Sequence, residues 1–395
     1  MFAQIKLALL LTVCLFAWAC FDSDASQDSA AKISQVSNSS KDLTKQSPSN
    51  PWGIVPHWDN ALKDPIHEPR AVYLNLYWID LKPTAETKLT KESIIAAIEL
   101  KLKRQLSADR PVAVRFVATG DSTAGPLPNW FEPSWKAPKE CNTEDKQQLP
   151  AWKDSAQLTA HADIVRALAA ALDGDPHIAW IEPGSYGFWG EGHVDGAPKS
   201  CEASIETRTA LIRPWIESFQ KTPLSVTMDW FRREDDPDHR LRDLWGKAAN
   251  LGLRFDCLGF WHDQYAQVIE DMASAKVSWN GPWGGEFCFG DKGAQWATGS
   301  DKVTVEQLSE GMKGEDKKEF QATFKSLTGK ATQNRVLGVV RDCHWSYLAG
   351  AGGSLLNKEA RPIAELLEAA MKMDSKRDLM KCAQAARVVR PTVTP

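Results

Sequence analysis

The stretch HIAWIEPGSYGFWGEGH, residues 177–193, decides the fold. Its opening, His177 to Glu182, is apolar and strand-like. Pro183 and the glycines at 184, 187, 190 and 192 then break the run. Two groups capable of chemistry, Glu191 and His193, follow the break. A strand ending in a glycine-rich turn that carries polar residues is the unit from which the mouth of a βα barrel is built.

The same unit recurs in both directions. Upstream, Ala71 to Trp78 reads as a strand. Thr90 to Leu106 is a helix, with apolar residues at 94, 95, 98, 102 and 106 and Thr90 as N-cap. Val112 to Ala118 is a buried strand. A Pro- and Trp-rich loop runs from Gly120 to about Lys153, and Leu158 to Leu172 is a helix closed by Asp173-Gly174. Downstream, strands are expected at Leu224–Asp229, Arg254–Phe260, from Val277 to Trp279, and last at Val336–Val340. Helices are expected at Ile205–Phe219, Arg240–Asn250, Tyr265–Ala273, Val303–Leu327 and finally Ala360–Met371. Gly53 to His57 supplies a further strand. The gap from His57 to Ala71 is too short for an ordinary helix, so the first unit must be irregular.

Alternating strands and helices imply a parallel sheet with helices outside it. The sheet can be open or closed. No GxGxxG follows an early strand, as an open dinucleotide-binding sheet would want. Polar and aromatic residues also gather after nearly every strand: Trp78, Arg115, Glu191, Asp229 with Trp230, Trp261 with His262, Glu286, and His344 with Trp345. Both observations favour an α/β fold of the (β/α)8, or TIM barrel, class, in which several strand ends build one site.

Three segments carry a resemblance. They are Ile181 to His193, Trp279-Asn-Gly-Pro-Trp-Gly-Gly-Glu286-Phe, and Tyr77-Trp-Ile-Asp-Leu-Lys-Pro83. Here the chain resembles clan A glycoside hydrolases of the beta-galactosidase-like kind, and related bacterial barrel domains of unknown function, over about residues 50–350. That resemblance implies an acid/base Glu after the fourth strand and a nucleophile Glu after the seventh. On this sequence these are Glu191 and Glu286. It also implies hydrolysis of a glycosidic bond in an oligo- or polysaccharide, with retention expected. Gly190 stands where the family usually has Asn, and Lys82 where Glu is usual. Both features favour the alternative, a glycan-binding barrel without turnover.

The chemistry asks one carboxyl to protonate the leaving oxygen and the other to attack the anomeric carbon. Glu191 would need a raised pKa, and flanking Trp189 and His193 could supply the desolvation. The chain holds 17 Trp, an excess for its length, and a flat indole suits the apolar face of a sugar. Trp78, Trp189, Trp230, Trp261, Trp283 and Trp345 are therefore expected to line the cleft, with Arg115, His193, Asp229, His262 and His344 as polar contacts. Asp229, Asp256 and Asp263 can instead pair with Arg115 and Arg254. The spacings of His193, His262 and His344 match no compact zinc motif, so neither metal nor other cofactor is expected.

The remaining features concern location. Lys6 precedes an apolar run, Leu7 to Trp18, too short to span a membrane. Ala17-Trp18-Ala19-Cys20 resembles the lipobox of bacterial lipoproteins, which implies a lipid on Cys20 and a membrane partner. Residue 21 is Phe rather than the Asp that favours inner-membrane retention, so an outer-membrane site in the cell envelope is preferred. Residues 1–20 are then a signal peptide. Residues 21–50 are polar and cannot offset their ordering entropy, so they form a tether; residues 51–395 form the barrel. A net charge of −4 without a basic stripe excludes nucleic acid as a partner. Beyond Cys14 and Cys20 lie Cys141, Cys201, Cys257, Cys288, Cys343 and Cys382, without a CxxC. An exported chain permits up to three disulfides among them. The strand order places Cys257 and Cys288 on neighbouring strands, and Cys141 and Cys201 in long loops on one face.

Overall fold

In the computed structural model, eight short strands pair in parallel into one sheet that curls almost closed. The structure describes residues 52–56, 69–121, 125–142, 147–258, 263–275, 279–287, 290–297, 299, 302–310, 312–324, 329–349, 361–372 and 378–387. The strands are β1 (Gly53–Val55), β2 (Val72–Tyr77), β3 (Val112–Val117), β4 (Ile178–Gly184), β5 (Leu224–Thr227), β6 (Leu251–Phe255), β7 (Trp283–Gly285) and β8 (Tyr347–Ala349). Their order around the ring is β1-β8-β7-β6-β5-β4-β3-β2. At the seam the Tyr73 N–H of β2 donates to Pro56 O, just past β1, at 2.9 Å. The chain is thus a (β/α)8 barrel.

Helices cover the outside: α1 (Lys91–Leu102), α2 (Ser155–Leu172), α3 (Ile205–Ser218), α4 (Arg240–Trp245) and α5 (Asp263–Ser274). They begin where short polar side chains satisfy the free N–H groups of a first turn. Thr90 accepts from Ser93 N at 3.2 Å, Asp154 from Ala156 N at 2.7 Å, and Ser204 from Thr207 N at 3.2 Å. Between β7 and β8 lie α6 (Gly290–Ala297), a one-turn helix at Val305–Leu308, α7 (Gly314–Phe324) and α8 (Gly329–Asp342). α9 (Arg361–Met371) and α10 (Leu379–Ala386) follow, and α10 packs on α5.

Strand alternation divides the core. Leu74, Leu76, Val114 and Phe116 face outward and pack in one large cluster with Ile94, Ile98, Ile164, Leu168 and Trp215 of the helices. Tyr73, Ala113, Trp180 and Tyr347 form a second cluster that fills the barrel interior. The fill matters for function because a packed interior leaves the strand C-termini as the place where a barrel builds a site.

Several boundaries differ from the sequence reading. Val336–Val340 is not a strand but part of α8; Val336, Val339 and Val340 are its buried face, at helical spacing. β8 is Tyr347–Ala349, so His344 and Trp345 precede a strand rather than follow one. The sixth strand starts at Leu251 and ends at Phe255, three residues earlier at its start than Arg254. Trp279 lies outside any strand and β7 begins at Trp283; Val277, with 276 and 278, lies outside the described residues. α10 lies beyond the helix expected to be last. The loop after β3 contains a two-residue antiparallel pair, Gly120–Asp121 with Gln147–Gln148.

Two disulfides are described. Cys141–Cys201 joins the loops that follow β3 and β4, and Cys343–Cys382 ties the approach to β8 to α10. Cys257 is also disulfide-bonded. Its expected partner, Cys288, lies outside the described residues, as do Trp261, His262, and the signal, tether and Cys20 within residues 1–50. Among the described residues no helix is long and apolar enough to cross a membrane.

Candidate active site

Glu191 is aimed by a backbone that most side chains would resist. In the turn after β4, φ is +85° at Gly187, +50° at Trp189, +76° at Gly190 and +91° at Gly192. Glycine is required there for space as well as for φ. A Cβ at Gly190 would sit 2.7 Å from Gly184 Cα, and one at Gly192 2.8 Å from the buried Trp230 ring. Gly190, placed where the resembled family has Asn, therefore answers to packing. The turn closes through Glu191 N–H to Phe188 O and Gly192 N–H to Tyr186 O, both 2.8 Å. This leaves the Glu191 carboxyl over the barrel mouth.

Arg254 is the hub of that mouth. It sits on β6 in register with Thr227 on β5 and Gly284 on β7, while Arg115 on β3 is in register with Glu182 on β4. Gly284 and Gly285 let β7 approach its neighbours closely, since a Cβ at either would meet Tyr347 or Phe255. Arg254 Nη2 donates to Glu191 Oε1 at 3.3 Å and to Glu286 Oε1. Its Nη1 lies 3.7 Å from Asp256 Oδ1 and its Nε 3.4 Å from Glu182 Oε2. Arg115 Nη2 donates to the same Glu191 oxygen at 3.3 Å. Glu182 forms the floor. It accepts from Tyr73 OH, from Trp180 Nε1 at 3.1 Å and from Tyr347 OH at 3.2 Å. Burial, and then the Glu182 charge, hold both tyrosine pKa values far above the usual range, so both hydroxyls stay protonated donors.

The carboxyls divide electrostatically. Burial alone would push Glu191 up, but the neighbouring His193 and the charges of Arg254 and Arg115 overcome it and bring its pKa to about 2. The raised pKa that proton donation requires is therefore not what this site produces at Glu191. Burial pulls His193 down, yet the close Glu191 carboxylate and the charges of Asp229 and Asp195 lift it to about 9. At neutral pH the two form an ion pair, with Nε2 3.7 Å from Oε2. Asp256 goes the other way. Burial, with the nearby charge of Glu191, raises it well above the carboxylate range against the pull of Arg254. Carboxyls pushed apart in this way are how one site holds an acid and a base together.

The structure gathers Glu191, Glu286, Arg115 and His193 of the expected site. Asp229 borders them. It accepts from Arg232 and, at 3.1 Å, from Tyr265 OH, while Arg232 also pairs with Asp195, which faces His193 at 3.4 Å. Trp189 stands at the rim, 40% exposed. Trp78, Trp230, Trp283 and Trp345 do not line a cleft, being at most 1% exposed. Trp78 donates to Ala118 O at 2.8 Å, and Trp283 and Trp345 pack on Phe255. His344 is buried in the turn before β8. The sequence offers Asp256 as a partner of Arg254, and the structure sets the two 3.7 Å apart, but Arg254, Glu182 and Asp256 are not among the residues expected to build the site. Their signal is nonetheless visible: Arg254 is a lone charge within the apolar run Leu-Gly-Leu-Arg-Phe, and Asp256 immediately follows it.

One atom each of Glu191, His193 and Asp256 come within 4.8 Å of one another, a spacing that suits a cation in size. Arg254 contacts both carboxyls and Arg115 one of them, so a cation there would face two guanidinium charges.

Fold and site together define a (β/α)8 barrel whose C-terminal mouth holds a carboxyl cluster on buried arginines. No protein-family model and no curated protein matches the chain. Among solved structures it is similar to the endo-glycoceramidase II from Rhodococcus sp., seen as a lactosyl-enzyme intermediate. Identity is 12%, the TM-score 0.38, and the match covers 78% of this chain and 71% of that one.

Proposed function

We propose that this barrel is a glycoside hydrolase of the cell envelope, cleaving an oligo- or polysaccharide with Glu286 attacking the anomeric carbon and Glu191 as the second carboxylate. The observation that carries the reading is that Glu191 and Glu286 meet on one nitrogen of Arg254, after the fourth and seventh strands of a barrel. Two oxygens held by one nitrogen lie closer than the roughly 6.5–9.5 Å that inversion needs, which supports retention. Trp189 is the rim aromatic available to a sugar face. The lipobox-like Ala17 to Cys20 supports attachment through a lipid at Cys20, with the outer membrane preferred.

A second reading draws on the ionised state of Glu191. A barrel that binds glycans without cleaving them needs no proton donor, and Lys82 and Gly190 fit that reading. Turnover of aryl glycosides and glycan arrays decides between the two. Glu286→Ala abolishing a measured turnover supports hydrolysis; glycan binding with no turnover supports the second reading. For the anchor, Cys20→Ser moves the protein from the membrane to the soluble fraction. A wild-type chain already soluble sinks the anchor.

A further inference from the structure

Hydrolysis at this site requires a proton on the leaving oxygen, and Glu191 is committed to two arginines and a histidine. The candidates are the polar groups that share its opening. His193 is paired to Glu191 and Asp195, and Glu182 lies beneath as floor under three donors. Asp256 remains. It follows β6 directly, and its backbone neighbourhood is fixed to that of Glu286: Glu286 N–H donates to Phe255 O at 3.2 Å, and Leu258 N–H to Glu286 O at 2.7 Å. The two tips of the Arg254 guanidinium then separate the side chains, with Glu286 on Nη2 and Asp256 on Nη1. Asp256 also comes within 4.8 Å of Glu191 and His193. Its side chain is 12% exposed and that of Glu286 21%, and both contact the one Arg254 guanidinium.

We infer that Asp256, standing across Arg254 from Glu286, is the proton donor of this site. The inference rests on the glycosidase reading above and adds to it a residue outside its carboxyl pair. In the first step a Glu286 oxygen bonds to the anomeric carbon. The bond from that carbon to the leaving oxygen breaks, its electron pair goes to the oxygen, and the oxygen takes the Asp256 proton. In the second step a water gives one proton to the Asp256 carboxylate as its oxygen bonds to the anomeric carbon. The bond to Glu286 breaks, and its electron pair returns to Glu286. Glu191 stays ionised throughout and stabilises the positive charge that develops on the sugar ring. The raised pKa of Asp256, caused by burial first and then by the Glu191 charge, is consistent with this.

The test compares leaving groups. Wild type, Asp256→Asn, Asp256→Glu, Glu191→Gln and Glu286→Gln are assayed on paired aryl glycosides of mono- and disaccharides. One of each pair carries 2,4-dinitrophenol, which departs unaided, and the other carries phenol, which needs a proton. The readout is kcat/KM, which reports the first bond cleavage. Asp256→Asn lowers the phenyl value by about 10²–10⁴-fold and the dinitrophenyl value by less than about 10-fold. Asp256→Glu restores part of the phenyl activity, and it covers the case in which Asn disturbs the fold. Glu191→Gln lowers both substrates alike. Equal losses on both substrates in Asp256→Asn overturn the assignment, as does a leaving-group-dependent loss in Glu191→Gln alone. A wild type that cleaves no member of the panel, or a fully active Glu286→Gln, overturns the glycosidase reading and this inference with it.

Discussion

Arg254 Nη2 holds Glu191 Oε1 at 3.3 Å, from a side chain with no exposed surface. The same guanidinium serves Glu182, Asp256 and Glu286. Removing a buried cation leaves its partners desolvated and unpaired, which costs about 3–5 kcal/mol. Arg254→Met should therefore destabilise the barrel by about that much. The loss should be larger at pH 8 than at pH 5, because the orphaned carboxyls can take protons at the lower pH and escape the penalty. Urea unfolding at the two pH values checks this. A loss below about 1 kcal/mol, or one independent of pH, would show that Arg254 is not the counter-charge of the site.

His193 gives the fold a pH dependence with a definite sign. Its folded pKa of about 9 lies above its ordinary 6.5, so its contribution is complete below 6.5 and lost as pH rises through about 9. Glu191 is depressed to about 2 from 4.5, so its contribution is complete above 4.5 and lost as pH falls through about 2. Both are present between 4.5 and 6.5. The alkaline loss amounts to about 3 kcal/mol, shared with Glu191 because the two are one ion pair. Melting temperatures measured from pH 6 to 10 should fall for the wild type and stay flatter for His193→Gln. Parallel curves refute the pair.

How far the sequence reveals this molecule can be judged from particular residues. Leu74, Leu76, Val114 and Phe116 betray their strands because long apolar runs outweigh local ambiguity. β7 and β8 are only three residues each, and β7 is Trp-Gly-Gly, which reads as a loop. Its glycines exist because a Cβ at Gly284 would meet Tyr347 O at 2.3 Å, and one at Gly285 Phe255 O at 2.2 Å. No local pattern reports such an approach between strands. Val336–Val340 misleads for the opposite reason: five mostly apolar residues fit a buried strand and a buried helix face equally well. For the site, the glycine-rich turn marks Glu191, and the position after a strand marks Glu286. The ionised state of Glu191 depends on Arg115 and Arg254, residues 76 and 63 positions away. The Trp excess is visible as a count, but whether an indole faces a cleft or the core depends on the packing around it.

Trp189 is where that distinction can be tested. The residue is 40% exposed, and its φ of +50° is a conformation a bulky residue adopts at a cost. Its ring meets Phe188 edge to face at 5.9 Å between centroids, a modest contact set against that backbone cost. Trp189→Gly should leave stability within about 1 kcal/mol of wild type, because glycine relaxes the backbone that the ring strained. The same change should weaken the glycan that the wild type binds by up to about 10-fold, the worth of one aromatic contact. Trp189→Ala keeps the Cβ at positive φ and loses the ring contact with Phe188, so it should lose the same affinity together with some stability. Calorimetric titration with an oligosaccharide panel, alongside thermal melts, separates the two effects. Unchanged affinity in both variants would remove Trp189 from the binding surface. A large loss of stability in Trp189→Gly would show instead that the ring braces the turn that aims Glu191.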